Sequence, residues 1–233
     1  MKVAIMQPYI FPYLGYFQLI SSVDKFIFYD DVNFIKRGWI NRNKILINGK
    51  ESIITFPLIK ASQNKSINEI DLFLNKKDKE KIITKLEIAY KKAPHFDDTI
   101  NLVKEIVNAD ISNIGEYSAN SIKKISNFLE IDVSFDFSST QSPESKGLDK
   151  ADRLIHICKK NNSNQYINSI GGQKLYSKEY FNANGINLSF IENDIEPYSQ
   201  FGEEFVPNLS IIDVIMFNDM KHVRKMLNKY KLI

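Results

Sequence analysis

Two short apolar runs near the start of the chain constrain the fold most: Val3-Ala4-Ile5-Met6 and Phe26-Ile27-Phe28-Tyr29. Between them lie a proline-rich turn and Tyr16-Phe17-Gln18-Leu19-Ile20, which reads as a short helix ended by Ser21 and Ser22. Uniformly apolar runs of this length suit strands buried on both faces. Strand, helix and strand this close together form a βαβ unit. Such units build parallel sheets, with ligands outside the carboxyl ends of the strands. The expected fold class is therefore α/β with a parallel-type sheet.

Further along, Ile45-Leu46-Ile47 and Ser52-Ile53-Ile54-Thr55-Phe56 flank Asn48-Gly49, the favoured pair for a tight hairpin turn. Residues 62–130 read as helical. Ile82, Ile83, Leu86 and Tyr90 follow helical spacing, as do Ile100, Val103, Ile106 and Val107, with Pro94 between the two helices and a third helix from about Ile114 to Leu129. Residues 136–147 are rich in loop formers. Asp149 is placed to cap a helix through Lys160, Tyr166-Ile167 and Leu188–Ile191 read as strands, and Ser177–Asn184 reads as a helix closed by Gly185. Helices near 208–218 and 219–230 finish the chain. The expected organisation is a single domain over 1–233. Its α/β core spans about 1–60 and 131–233, and its helical insertion about 62–130. Two domains split near residue 140 is the alternative.

A chain of 233 residues is long enough to bury roughly 70% of its unfolded surface. The net charge of +3 gives only weak attraction to polyanions. Pro8 and Pro12 interrupt the first apolar stretch, so no signal peptide is expected, and no run reaches the ~18 apolar residues of a membrane span. With Cys158 the sole cysteine, neither a disulfide framework nor a cysteine zinc site can form. A soluble, cytoplasmic location is expected. Cys158 sits on the apolar face of its helix with Leu154 and reads as a core residue. No dinucleotide, P-loop, zincin or serine-hydrolase signature occurs. His95, His156 and His222 are scattered, and His95 and His222 read as exposed helix residues. No metal site and no cofactor is assigned.

The densest chemistry is DDVNFIKRGWINRNKI, where the second strand ends: Asp30, Asp31, Lys36, Arg37, Trp39, Asn41, Arg42 and Asn43. Guanidinium forks grip phosphate or carboxylate, and an indole stacks on a base or sugar. The turn from Gln7 to Tyr16 leaves the same edge of the expected sheet. The two stretches together read as a ligand site, against the alternative of a solvated charged loop. Gly171-Gly172 fits a phosphate-binding nest or a plain turn. Ser210 and Asp213 have capping-box spacing.

The segments AIMQPYIFPYLGYFQLI, VDKFIFYDDVNFIKRGWINRNKI, TFPL, YKKAPHF, DRLIHICKK, YINSIGGQKLY and FVPNLSIIDVIMFN resemble, in order, the WbqC-like protein family. The resemblance implies a place among gene clusters for surface polysaccharides, notably O-antigens with acylated amino sugars. It implies acyl transfer, for example of a glycyl group, onto a nucleotide-linked amino-deoxy sugar. The alternatives are a non-catalytic nucleotide-sugar-binding or scaffold protein of that pathway, or an ATP-dependent ligase or nucleotidyltransferase.

The strand, turn and aromatic-x-Gly-aromatic opening is similar to class I aminoacyl-tRNA synthetases and nucleotidyltransferases (the HUP, Rossmann-like core). Tyr13-Leu14-Gly15-Tyr16 stands where those enzymes carry His-x-Gly-His. Lacking both histidines, the chain is similar rather to cyclodipeptide synthases, which accept charged tRNA, and this implies aminoacyl-tRNA as a donor. On these resemblances Asp30 and Asp31 are the expected catalytic base or ammonium anchor. Lys36, Arg37 and Arg42 are expected to hold phosphate, and Gln7 and Asn41 to orient the acyl group. Tyr9, Tyr16 and Trp39 are expected to line the pocket. Pro8, Tyr13, Gly15 and Asn43 belong to the same substrate-binding set, and Asp213 enters it through the family motif.

Overall fold

The computed structural model describes all 233 residues, Met1–Ile233. The two apolar runs are strands β1 (Lys2–Met6) and β2 (Lys25–Phe28), joined by helix α1 (Leu14–Ser21), and they pair in parallel. The chain then leaves the sheet for the hairpin β3 (Arg42–Ile47) and β4 (Lys50–Thr55). Helices α2 (Lys76–Tyr90), α3 (Phe96–Val107) and α4 (Ile114–Phe128) follow. It rejoins the sheet with β5 (Ser134–Phe137), the short helix α5 (Ser138–Gln141) and helix α6 (Lys150–Lys160). Strand β6 (Gln165–Ser169), helix α7 (Lys178–Ala183) and strand β7 (Asn187–Asn193) come next. Helices α8 (Ile211–Phe217) and α9 (Met220–Leu227) lead to the last strand, β8 (Tyr230–Leu232).

The six-stranded sheet has the order β5-β2-β1-β6-β7-β8, with only β8 antiparallel. The order reverses direction at β1, the kind of switch point outside which α/β sheets bind ligands. Alternation of side chains along the strands divides the core. Val3, Ile5, Ile27, Tyr166, Leu188 and Phe190 face a smaller cluster with Leu154, Ile157, Cys158 and Phe181 of α6 and α7. Ala4, Phe26, Phe28, Ile167 and Ile191 face the larger cluster, which also takes in α1, the hairpin, α2 to α4, α8 and α9.

Several expectations match and several need correction. Asn48 and Gly49 both have positive φ, 51° and 71°, as a type I′ turn requires. Gly185 takes φ 81° after α7. Residues 62–75 contain no α-helix. Ser66 and Glu69 form a capping box on a single 3-10 turn, and bridges run from Asn33 to Ser66 and from Leu58 to Leu72. The loop-rich stretch from 136 begins inside β5. The polar residue of that strand, Asp136, pairs with Lys25 of β2 at 2.5 Å, so its polarity masks an edge strand. The last helix stops at Leu227, and Tyr230–Leu232 adds an antiparallel strand. Asp149 holds the N-cap position of α6 without a side-chain bond.

The turn after β1 is clamped from three sides. Ile10 N–H donates to Ile40 O at 3.1 Å. Asn43 Nδ2 donates to Ile10 O and Phe11 O at 3.1 and 2.7 Å, and Ser210 Oγ donates to Phe11 O at 2.8 Å. Phe11 is fully buried and sits at φ 45°, a conformation a bulky residue adopts only when its surroundings hold it there. Asn43→Ala removes the one donor to the buried Ile10 carbonyl. It is expected to lower the unfolding free energy by about 1–3 kcal/mol in urea denaturation; a loss below about 0.5 kcal/mol would show that the turn holds without the clamp.

Candidate functional site

On the carboxyl side of the sheet lies a cavity of about 550 Å³, lined by Tyr9, Tyr13, Trp39, Asn43, Lys44, Asn193, Ile195, Pro207 and Asn208. The volume suits a small-molecule ligand. Its floor is the clamped turn, one wall is the base of the hairpin, and the other is the end of β7 with the segment that leads to α8. Burial raises the pKa of both Tyr9 and Tyr13, so each phenol keeps its proton. Tyr16, behind them, is fully buried and donates to Gln7 O at 2.8 Å. The Trp39 indole is 38% exposed, with Arg42 Cζ and Lys44 Nζ 5.6 and 5.8 Å from its ring centroid. Lys44 also pairs with Glu51 at 2.7 Å.

Tyr9, Tyr13, Trp39 and Asn43 are thus brought together from two stretches of sequence. The other expected binding residues support the walls or lie away from them. Arg42 donates to Gly38 O at 2.9 Å and to Arg37 O, stiffening the turn that carries Trp39. Asn41 exchanges hydrogen bonds with Phe56, each 2.8 Å. Lys36 and Arg37 are exposed, and Pro8 is buried. A Cβ on Gly15 would meet Tyr13 at 2.5 Å and Asn193 at 2.9 Å. The glycine therefore admits the Tyr13 and Asn193 side chains, both part of the cavity lining, to the start of α1.

Asp30 and Asp31, the expected catalytic residues, do not line this cavity, and both carboxylates accept hydrogen bonds from protein partners. Asp30 accepts from Ser139 N–H at 3.1 Å and Ser139 Oγ at 2.6 Å. Asp31 accepts from Arg153 at 2.6 Å, and Ser138 Oγ donates to both aspartates. Arg153 is buried with them and lies 4.7 Å from the Tyr29 ring centroid. The cluster ties the end of β2 to α5 and α6. Asp213 is likewise a structural centre. Ser210 caps α8, but the Asp213 carboxylate accepts from Tyr90 at 2.9 Å, Tyr198 at 2.7 Å and Gln200 at 2.6 Å instead of closing a capping box. Gly171 and Gly172 form part of a 3-10 turn, and a Cβ on Gly172 would meet Asn168 at 2.5 Å, so close packing explains the second glycine. Burial pushes the Cys158 thiol up to about 12, which makes it inert.

The lining residues that sequence reading missed are Lys44, Asn193, Ile195, Pro207 and Asn208. Lys44 follows Arg42 by two on a strand and shares its face, and Asn193 ends the strand read at 188–191; both were within reach of a period-two argument. Pro207-Asn208 lies in the FVPN segment, and Ile195 carries no local signal.

Two outcomes follow. Asp31→Asn leaves the Arg153 charge buried and unpaired, with an expected loss of about 3–5 kcal/mol in urea unfolding. A stable Asp31→Asn protein that has lost only its activity would return Asp31 to the chemistry. For Asp213, burial raises the folded pKa above the ordinary 3.8, outweighing the bonds from Tyr198, Gln200 and Tyr90 that lower it. The folded state then binds more protons than the unfolded one, so this group's contribution to stability falls as pH rises from 3.8 through the folded pKa. Wild type should gain stability relative to Asp213→Asn as pH is lowered through that window. A flat difference would mean that the three hydrogen bonds cancel the effect of burial.

The profile of the WbqC-like protein family matches residues 7–225. The uncharacterized protein Rv1507c of Mycobacterium tuberculosis is 28% identical over 225 residues, covering 93% of each chain. No solved structure matches the chain significantly. No helix is long and apolar enough to cross a membrane.

Proposed function

Because the chain belongs to the WbqC-like protein family, we propose that it transfers an acyl group onto the amino group of a nucleotide-linked amino-deoxy sugar in surface polysaccharide (O-antigen) synthesis. The group transferred is an aminoacyl group such as glycyl, with charged tRNA as its donor. The observation that carries this reading is the cavity lining: three aromatic rings, three asparagine amides and one lysine. Aromatic faces stack on a base or pyranose, amides pair with hydroxyls, and Lys44 beside Arg42 supplies charge for phosphate. The parallel sheet with its switch at β1 supports a core akin to class I synthetases and nucleotidyltransferases.

In the reaction the uncharged amine attacks the acyl carbonyl carbon. A C–N bond forms, the ester C–O bond to the donor breaks, and the proton lost from nitrogen ends on the leaving oxygen. The chain's own contribution is to bind and orient the sugar nucleotide, with Lys44 on its phosphate, so that the amine meets the acyl carbonyl. A second reading, a non-catalytic nucleotide-sugar-binding or scaffold protein, is favoured by one observation: no carboxylate, imidazole or thiol is among the nine lining side chains.

Incubating the protein with a nucleotide-linked amino sugar and charged tRNA should add one aminoacyl mass to the sugar by mass spectrometry. ATP plus free amino acid should add none. Trp39→Ala and Lys44→Ala should each weaken sugar-nucleotide binding by about tenfold, as loss of a stacking face or a charged hydrogen bond does. Tight binding with no mass gain from any donor would decide for the scaffold reading.

A further inference from the structure

Gln18 is fully buried in α1, and its Nε2 donates to two backbone carbonyls, Met226 O and Lys229 O, each at 2.8 Å. A carbonyl only accepts, so the Gln18 amide has one permitted orientation, with its oxygen toward Asn193. Asn193 must answer with its own NH2 group. Nδ2 donates to Gln18 Oε1 at 2.7 Å and leans toward Gly15 O at 3.4 Å. Both of its N–H groups are thereby turned into the protein. The enclosed side-chain polar atoms without a partner are Asn68 Oδ1, Asn120 Nδ2, Ser126 Oγ and Ser142 Oγ. Asn193 Oδ1 is not one of these: it has no hydrogen-bond partner in the protein and is not enclosed, it packs beside Gly15, and the residue lines the cavity. Asn43 differs: its Nδ2 is held by Ile10 O and Phe11 O, and its Oδ1 already accepts from Lys44 N–H at 2.8 Å.

We infer that Asn193 Oδ1 is the acceptor for an N–H of the substrate's amino group, and that Gln18 is the positioning residue that keeps it an acceptor. The inference rests on the sugar-nucleotide reading above. A freely rotating asparagine offers a donor or an acceptor and discriminates little. One locked through two backbone carbonyls offers an acceptor alone. A neutral carbonyl holds an amine by one N–H and leaves the nitrogen lone pair free to attack. A carboxylate at the same place would favour the ammonium, which has no lone pair.

Calorimetry with three ligands tests this: the nucleotide-linked amino sugar, the same nucleotide sugar with a ketone in place of the amine, and the free nucleotide. Wild type should bind the amino sugar at least about tenfold more tightly than the ketone, because the ketone sets two acceptors against each other. Asn193→Ala and Gln18→Met should each reduce that ratio to about one to two. In Gln18→Met, Met226 O keeps the Lys229 N–H and Lys229 O keeps the Asp194 N–H, both at 3.1 Å, so the fold retains partners for both carbonyls. Should that variant nevertheless not fold, Asn193→Ala carries the test. A wild-type ratio near one, or an unchanged ratio in Asn193→Ala, overturns the role of Asn193 while sugar-nucleotide binding stands. Failure of wild type to bind any nucleotide sugar overturns the cavity reading and this inference with it.

Discussion

The carbonyl of Phe11 is the point on which the site depends. It receives hydrogen bonds from Asn43 on the hairpin and from Ser210 at the head of α8. Those residues come from parts of the chain about thirty and two hundred positions away. With Ile211 N–H on Pro12 O and Ser210 N–H on Lys44 O, each at 2.8 Å, those bonds hold the turn after β1, the hairpin and the C-terminal helices at a common junction, and the cavity is the space they leave. The turn pays for the junction with a left-handed Phe11, a conformation that full burial of the ring and the two donors sustain. Without the clamp Tyr9 and Tyr13 would have no fixed relation to Trp39.

Buried charge in this protein is mostly architectural. Asp31 is paired with Arg153 and accepts from Ser138 Oγ, while Asp30 accepts from Ser138 Oγ and from Ser139 Oγ and N–H. Asp213 gathers Tyr90 at the end of α2 with Tyr198 and Gln200 from the segment after β7. A carboxylate removed from water is costly unless every lone pair finds a donor, so such groups sit where several elements must be brought together. That explains why residues so suggestive in sequence do not face the cavity. Its lining has a single formal charge, Lys44, and otherwise relies on aromatic faces and oriented amides.

Much of the fold was legible because it follows local rules. The βαβ opening, the Asn-Gly hairpin and the helices α2 to α4 each carry their own periodicity or turn chemistry. The misread places lack such a signal. β5 looks like a linker because its Asp136 is paired with Lys25 across the sheet, and β8 looks like the end of a helix because only pairing with β7 makes it a strand. Of the site, the aromatic turn and the Trp39–Asn43 stretch stood out as clusters of polar and aromatic residues. Asn208 did not, since one asparagine in a loop resembles any other until its neighbours are known.

By itself, then, the sequence determined the chemistry within reach: a parallel α/β core, an aromatic turn at its edge, and a cationic loop carrying the only tryptophan. These are properties of neighbours along the chain, set by sterics and side-chain pattern. Tertiary structure decided which of those groups face the cavity and which are consumed in holding it. It also decided which way the Asn193 amide points, through Gln18 and two carbonyls near the C-terminal end. Hydrogen-bond direction is a property of partners in space, and residues 18, 193, 226 and 229 become partners only once the chain has folded.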